Sequence, residues 1–232
     1  MFDTSGLVWT RPPRDYRVTE TEITVTTEPH TDLWQRTYYG FRNDNAPVLQ
    51  METEEEFFSF LEKRRGRLEG VCISGGEPTL SPALPDFIRR IRSLGYAVKL
   101  DTNGLSPDML EGLLREGLVD YVAMDIKSSR EGYAKASGVP DIDLTKIEKS
   151  AALLMKSDTP YEFRTTVVRE LHDEGDMVRI GEWLSGAKNY FLQSFLDSGE
   201  LISDGLHGYD KKGMEHLLKL LKVKIPSAKI RG

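Results

Sequence analysis

The sequence is poor in cysteine, because its 232 residues contain only one, Cys72. A single thiol excludes an internal disulfide and a zinc site built from cysteines. An iron–sulfur cluster held by protein thiolates needs several of them. Cys72 lies in the apolar stretch Val71 to Ser74, which has the pattern of a strand. We therefore expect Cys72 to be a small buried side chain rather than a metal ligand.

The sequence also lacks a net positive charge and long apolar runs. The net charge of -6 and a pI near 5.4 give no basic surface of the kind that binds nucleic acid or an anionic membrane. No run approaches the roughly 20 apolar residues that span a bilayer, and the N-terminus lacks the pattern of a signal peptide. The sequence predicts a soluble, cytoplasmic protein that binds neither nucleic acid nor a membrane.

Residues 1–50 have the composition of β-structure. Residues 22–27 alternate in polarity, and residues 33–41 are rich in aromatic and β-branched side chains, which predicts antiparallel strands. Two or three strands cannot bury both faces alone, so they must pack on the following domain, exchange with another chain or remain poorly ordered. A polar stretch at 43–47 marks the predicted boundary between this β-rich segment and a second domain, residues 51–232.

The second domain alternates between strands and amphipathic helices. The predicted strands cover residues 70–74, 97–101, 120–126, 161–168 and 190–195. Short links between each strand and the next helix predict a parallel sheet with helices outside it and right-handed crossovers. The predicted fold class is therefore α/β.

Polar residues follow three of these strands. The first strand runs into Gly75-Gly76-Glu77-Pro78, and the next two end in Asp101-Thr102-Asn103-Gly104 and Asp125-Ile126-Lys127. Glycine lets the backbone approach a ligand closely, and open α/β sheets and barrels bind ligands at the carboxyl ends of their strands. A plain turn explains one Gly-Gly-Glu-Pro equally well, but the recurrence of polar strand ends favours a ligand site.

With these motifs, the stretch from Glu54 to Ile202 resembles the radical S-adenosylmethionine (SAM) activases of glycyl radical enzymes. These include the activating proteins of anaerobic ribonucleotide reductase and pyruvate formate-lyase. The resemblance implies a partial, open β/α barrel, in which six strands are expected, whereas we count five and find the first one missing. Residues 7–51 resemble instead the start of an uncharacterised family of concanavalin A-like β-sandwich proteins.

The missing strand matters for the cofactors that the resemblance implies, which are SAM and a four-iron, four-sulfur cluster. In the family, the loop after that strand carries Cys-x-x-x-Cys-x-x-Cys, whose thiolates hold the cluster and leave one iron open for SAM. Residues 1–53 contain no cysteine, and His30 is a single ligand in a predicted turn. The cluster ligands are therefore missing, and we assign no metal ligand and no catalytic residue.

The resemblance assigns the binding of SAM to nine residues. They are Gly75, Gly76, Glu77, Asp101, Thr102, Asp125, Lys127, Arg164 and Gln193. The first three match the motif that meets the amino group of SAM. The next four match positions around its carboxylate and ribose that help to hold a monovalent cation, and the last two match positions near the carboxylate and the adenosine. Each has a structural alternative: a turn cap for Asp101, an ion pair for Asp125 with Lys127, and satisfied edge positions for Arg164 and Gln193.

Two functions follow from the resemblance. The first is a glycyl radical activase, an oxidoreductase that cleaves SAM reductively and abstracts hydrogen from a glycine of a partner such as anaerobic ribonucleotide reductase. Without the cluster cysteines we expect this activity to be defective. The alternative is a non-catalytic remnant that binds SAM or the partner.

Outside the motifs, we interpret His172 as a surface loop histidine and the lysines of residues 211–229 as a solvated helix face.

Overall fold

A computed structural model describes residues 23–27, 37–41, 49–51, 54–195 and 205–231. The chain forms two compact units. Unit 1 consists of Met1–Thr102 and Asp108–Val122, and unit 2 consists of Asn103–Pro107 and Ala123–Gly232.

Strands and helices alternate through most of the described chain. In chain order they are β1 (Ile23–Thr27), β2 (Thr37–Phe41), β3 (Leu49–Met51), α1 (Glu54–Lys63), β4 (Gly70–Gly75), a short 3-10 turn (Pro78–Leu80), α2 (Leu84–Ser93), β5 (Ala97–Thr102), α3 (Pro107–Arg115), β6 (Tyr121–Asp125), α4 (Tyr133–Ser137), α5 (Leu144–Lys156), β7 (Tyr161–Val167), α6 (Glu174–Trp183), β8 (Tyr190–Ser194), α7 (Lys211–Lys222) and β9 (Lys229–Arg231). Parallel strands joined by helices confirm the predicted α/β class.

In unit 1 the strands lie in the order β3, β2, β1, β4, β5. The pairs β1 with β2 and β2 with β3 are antiparallel, as predicted. Strand β1, however, also pairs in parallel with β4, from Ile23 opposite Val71 to Thr27 opposite Gly75, and β4 pairs in parallel with β5.

The pairing of β1 with β4 corrects the prediction that the first parallel strand is missing. The alternation of residues 22–27 indicates a strand, but side chains alternate with a period of two in parallel and antiparallel ladders alike. The pattern therefore could not show which way the partner runs. Of the three alternatives for the N-terminal strands, packing on the following domain is the one found for β1.

The core of unit 1 lies between the helices and the sheet. Helix α2 buries Phe87, Ile88 and Ile91, which its sequence places on one face. The Phe57 ring of α1 stacks on Phe87 with 5.3 Å between the ring centroids. Cys72, in the middle of β4, is fully buried, which confirms its predicted role as a core side chain.

In unit 2 the strands lie in the order β6, β7, β8, β9, and both β7 with β8 and β8 with β9 are parallel. The C-terminal strand β9 was not predicted. Arg231 anchors β9 to β7, because its two guanidinium nitrogens lie 2.7 and 2.8 Å from the carboxylate oxygens of Glu162.

No helix in the described ranges is long and apolar enough to cross a membrane.

Candidate functional site

In unit 1, the carboxylate of Glu77 is held at the end of β4. One of its oxygens, Oε1, accepts hydrogen bonds from the Thr79 amide at 3.1 Å and from the Thr102 hydroxyl at 2.8 Å. The Thr79 hydroxyl donates to the same oxygen. Glu77 is 9% exposed and caps the 3-10 turn that Pro78 begins. The Gly-Gly-Glu-Pro motif thus places a fixed, buried carboxylate after the strand.

Unit 1 also contains a buried charged pair, which lies on β5. Lys99 and Asp101 are two residues apart, so their side chains leave the strand on the same face. The Lys99 Nζ atom lies 3.0 Å from Asp101 Oδ1, and the two side chains are 2% and 4% exposed. The turn that follows is closed by Asn103, whose Oδ1 accepts from the Leu105 amide at 2.9 Å. Asp101 is therefore an ion-pair partner, whereas Asn103 caps the turn.

In unit 2, Asp125 at the end of β6 lies between two cations. Its Oδ2 atom is 2.9 Å from Lys127 Nζ, and its Oδ1 accepts from Arg164 Nε. Burial of Asp125 opposes its ionisation, but the charges of Arg164 and Lys127 outweigh burial and hold the pKa of Asp125 far below its usual range. The structure brings these three predicted residues together as an ion-pair cluster.

Buried hydroxyls fix the backbone beside this cluster. The Thr165 hydroxyl lies 2.6 Å from the Ile126 carbonyl oxygen and 2.6 Å from the Tyr190 hydroxyl. Burial raises the pKa of Tyr190 well above its ordinary value, so the phenol stays neutral. These bonds hold the backbone next to Asp125 against β7.

His172 also supports the loop that carries Lys127. Its Nδ1 accepts from the Val168 amide at 3.1 Å, which leaves Nε2 to donate to the Lys127 carbonyl oxygen at 2.7 Å. His172 is 3% exposed. Its interpretation as a surface histidine was therefore wrong, because the loop after β7 folds back and buries the ring.

The other predicted residues take simpler positions. Gly75 is the last residue of β4, and Gly76 is exposed. Gln193 is half-buried on β8, where its Cα partner on β7 is Thr166. In the described ranges, no group of three or more His, Cys, Asp or Glu side chains is arranged to hold a metal ion.

Sequence reasoning missed Lys99 and misjudged His172. The signal for Lys99 was present, because a lysine inside the apolar strand Ala97–Thr102 must find a negative partner if it is buried. Asp101 lies two residues later on the same face. For His172 the sequence carried no comparable signal, because its partners are backbone groups.

Comparison with known sequences finds two kinds of similarity. A family model described as "Protein of unknown function (DUF1349)" matches residues 9–68. A protein of Methanocaldococcus jannaschii named as a glycyl-radical enzyme activating enzyme is 35% identical over 131 residues, which are 55% of this chain and 55% of that protein. A 7-carboxy-7-deazaguanine synthase of Methanopyrus kandleri is 30% identical over 112 residues, covering 45% of this chain and 43% of that protein. The chain thus matches about half the length of these relatives.

Solved structures give the fold. A domain of the pyruvate-formate lyase-activating enzyme from Bacteroides vulgatus aligns with a TM-score of 0.56 and 21% identity, over 71% of this chain and 99% of that one. A radical SAM methyltransferase from Sphaerobacter thermophilus aligns with a TM-score of 0.63 and 12% identity, over 91% of this chain and 77% of that one. These similarities confirm the predicted open β/α fold of radical SAM type.

Proposed function

We propose that the chain is a member of the radical SAM activase family, that it binds SAM and that its residues do not hold the iron–sulfur cluster. The observation that carries the proposal is the buried carboxylate of Glu77, held by Thr79 and Thr102 at the end of β4. A fixed carboxylate suits the ammonium group of SAM, because charge-assisted hydrogen bonds are strong where water is excluded.

The surroundings of Glu77 in unit 1 fit a polar ligand. The hydroxyl of Ser74, at the end of β4, is buried and makes no hydrogen bond within the described residues. A buried hydroxyl without a partner is costly unless a ligand or water satisfies it. Gly76 follows on the exposed side and has no Cβ, so a ligand can reach the backbone there. Gly75, Gly76 and Glu77 are therefore our proposed contacts for the amino group.

For the remaining contacts the proposal rests on the resemblance. Asp101 and Thr102 in unit 1 are proposed for the SAM carboxylate and ribose, as are Asp125 and Lys127 in unit 2. Arg164 is proposed for the carboxylate, and Gln193 for the adenosine. The two cationic side chains of the Asp125 cluster support an anionic ligand group there.

The residues of this chain do not fit the cluster. The only thiol belongs to Cys72, which is fully buried in β4, with Thr24 and Lys99 as its Cα partners on the neighbouring strands. A thiol in the middle of a buried strand cannot join two others at a strand end, and a thiolate cluster needs several cysteines. The cluster supplies the electron for SAM cleavage in the family, and we derive no such step for this chain.

A second candidate function is that of a complete glycyl radical activase whose cluster ligands lie outside these residues. The parallel pairing of β1 with β4 supports the barrel of such an enzyme, because it adds the first parallel strand. Residues 28–36, which follow β1, contain no cysteine, so the cluster ligands would have to come from another chain. In that case the partner would be a glycyl radical enzyme such as anaerobic ribonucleotide reductase. This chain would then supply SAM binding, while the electron comes from a cluster held elsewhere.

Anaerobic reconstitution with iron and sulfide, followed by iron analysis, tests whether residues of this chain hold the cluster. We expect no stoichiometric iron and measurable SAM binding by calorimetry. Glu77→Gln should weaken SAM binding by about tenfold or more, since a charge-assisted contact is lost. The exposed Glu182→Gln is the matched control and should leave the affinity unchanged.

The outcomes are distinct. About four irons per chain together with formation of 5′-deoxyadenosine would show that this chain holds the cluster itself and would refute the cluster-free proposal. The absence of SAM binding to the folded wild-type chain would refute both functions for this polypeptide.

A further inference from the structure

Lys99 is a buried lysine in a strand, and such a residue needs an explanation. Its side chain is 2% exposed, and lysine is almost never buried without a partner of opposite charge. Its neighbour across the sheet is Cys72 on β4, which is fully buried and uncharged. The negative partner is Asp101, with 3.0 Å between Nζ and Oδ1.

This ion pair places a positive charge next to the Asp101 carboxylate. The resemblance places Asp101 among the residues that help to hold a monovalent cation next to SAM. A carboxylate attracts such a cation through its uncompensated negative charge and its free oxygens. In this chain Asp101 already has a unit positive charge 3.0 Å from Oδ1, and removing either partner of a buried ion pair is costly.

The second carboxylate that the resemblance assigns to the cation is Asp125, in unit 2. It lies between Lys127 and Arg164 and forms an ion pair with each. Each carboxylate, taken in its own unit, therefore already has a cationic side chain against it.

We propose that the ammonium group of Lys99 takes the place of the monovalent cation at Asp101, so that this chain binds its ligand without added K⁺ or Na⁺. The ammonium has the same unit charge, is covalently attached and lies 3.0 Å from the carboxylate oxygen. This inference rests on the proposed function, because the ligand is SAM.

The test is calorimetric titration of SAM into the full chain in KCl, NaCl and tetramethylammonium chloride at equal ionic strength. Tetramethylammonium is too bulky to enter a cation site between carboxylate oxygens. For the wild type we expect dissociation constants that agree within about twofold in the three salts. Binding about tenfold tighter in KCl or NaCl than in tetramethylammonium chloride would overturn the inference.

Two variants sharpen the test. Lys99→Met removes the cationic side chain next to Asp101, so its SAM affinity should fall about tenfold in tetramethylammonium chloride and recover in KCl. The double variant with Lys99→Met and Asp101→Asn removes both charges and should show no response to the cation. It also keeps the test usable if the single variant does not fold. Lys212→Met, at an exposed position of α7, is the control for loss of a lysine.

Failure of the proposed function looks different from failure of this inference. If the wild type binds no SAM in any salt, the proposed function fails. Urea unfolding in the three salts then tests whether Lys99 replaces a bound cation. Equal unfolding midpoints of the wild type in the three salts support an internal cation. A midpoint that rises only in KCl or NaCl shows that a cation binds in spite of Lys99 and refutes the inference.

Discussion

The imidazole of His172 bridges two loops of unit 2. Its Nδ1 accepts a hydrogen bond from the Val168 amide, and its Nε2 donates one to the Lys127 carbonyl oxygen, 2.7 Å away. The ring is buried, and its own backbone carbonyl accepts from the Tyr209 hydroxyl at 2.8 Å. His172 therefore sets the position of the peptide that carries Lys127, and through it the ion pair with Asp125.

Replacing His172 by alanine should destabilise the protein. The Val168 amide and the Lys127 carbonyl would both lose a buried partner, which costs about 2 kcal/mol in total. Urea unfolding measures the loss. His216→Ala is the control, because that side chain is 53% exposed and pairs with the exposed Glu174, and we expect a change below about 0.5 kcal/mol. Equal losses for the two variants would contradict the role of His172.

Asp125→Asn should cost about 3 kcal/mol at pH 7, because Arg164 loses a buried charged partner. The pKa of Asp125 is lowered in the folded state, so its stabilising effect is complete above the usual carboxyl pKa of about 4 and is lost as the pH falls. The difference in unfolding free energy between wild type and variant should therefore shrink steadily below that pH.

The pH dependence of this difference is the decisive measurement. Asp141→Asn, at an exposed position, should change little at any pH. A difference between wild type and Asp125→Asn that stays constant down to strongly acidic pH would show that the charge of Asp125 does not stabilise the fold.

Arg231→Gln should release the C-terminal strand β9. The guanidinium makes two hydrogen bonds to the buried Glu162 and lies 3.8 Å from the centre of the Phe191 ring. Loss of these contacts should cost about 2 kcal/mol and increase amide hydrogen exchange in β9. Lys229→Gln, on the same strand but exposed, should have little effect. If both variants exchange alike, Glu162 does not anchor β9.

Gly104→Ala should destabilise unit 2. Gly104 has a φ of +78°, and a Cβ there would clash with the terminal methyl group of the buried Met124, which would have to shift. The left-handed conformation alone costs an alanine about 1 kcal/mol, and the clash adds to it. Gly112→Ala is the opposite case, because nothing lies within 4 Å of that site in α3, and it should stabilise the protein by up to about 1 kcal/mol. Thermal unfolding of both variants checks the contrast in sign.

Much of the fold was predictable because its signals are local. The period of 3.6 in α2 and the apolar run of β4 each identify their element without knowledge of the rest of the chain. The polar residues Glu77 and Asp125 were predictable for the same reason, because each lies at the end of an apolar strand. The division near residue 50 stays a prediction.

Other features depended on residues far apart in the chain. The strand β9 is three residues long, and its Arg231 is held by Glu162, 69 positions earlier in the chain, so no local pattern predicts it. His172 depends on backbone groups of Val168 and Lys127, which have no signature in the sequence.

The sequence by itself determined the α/β class, the motif at Gly75 to Glu77 and the presence of a single thiol, because composition and local periodicity decide these. Only the tertiary structure decided that β1 runs parallel to β4 and that Lys99 neutralises Asp101. Strand direction and buried charge pairing depend on which surfaces meet when the chain folds, since the free energy of a buried charge is set by its neighbours rather than by its residue type.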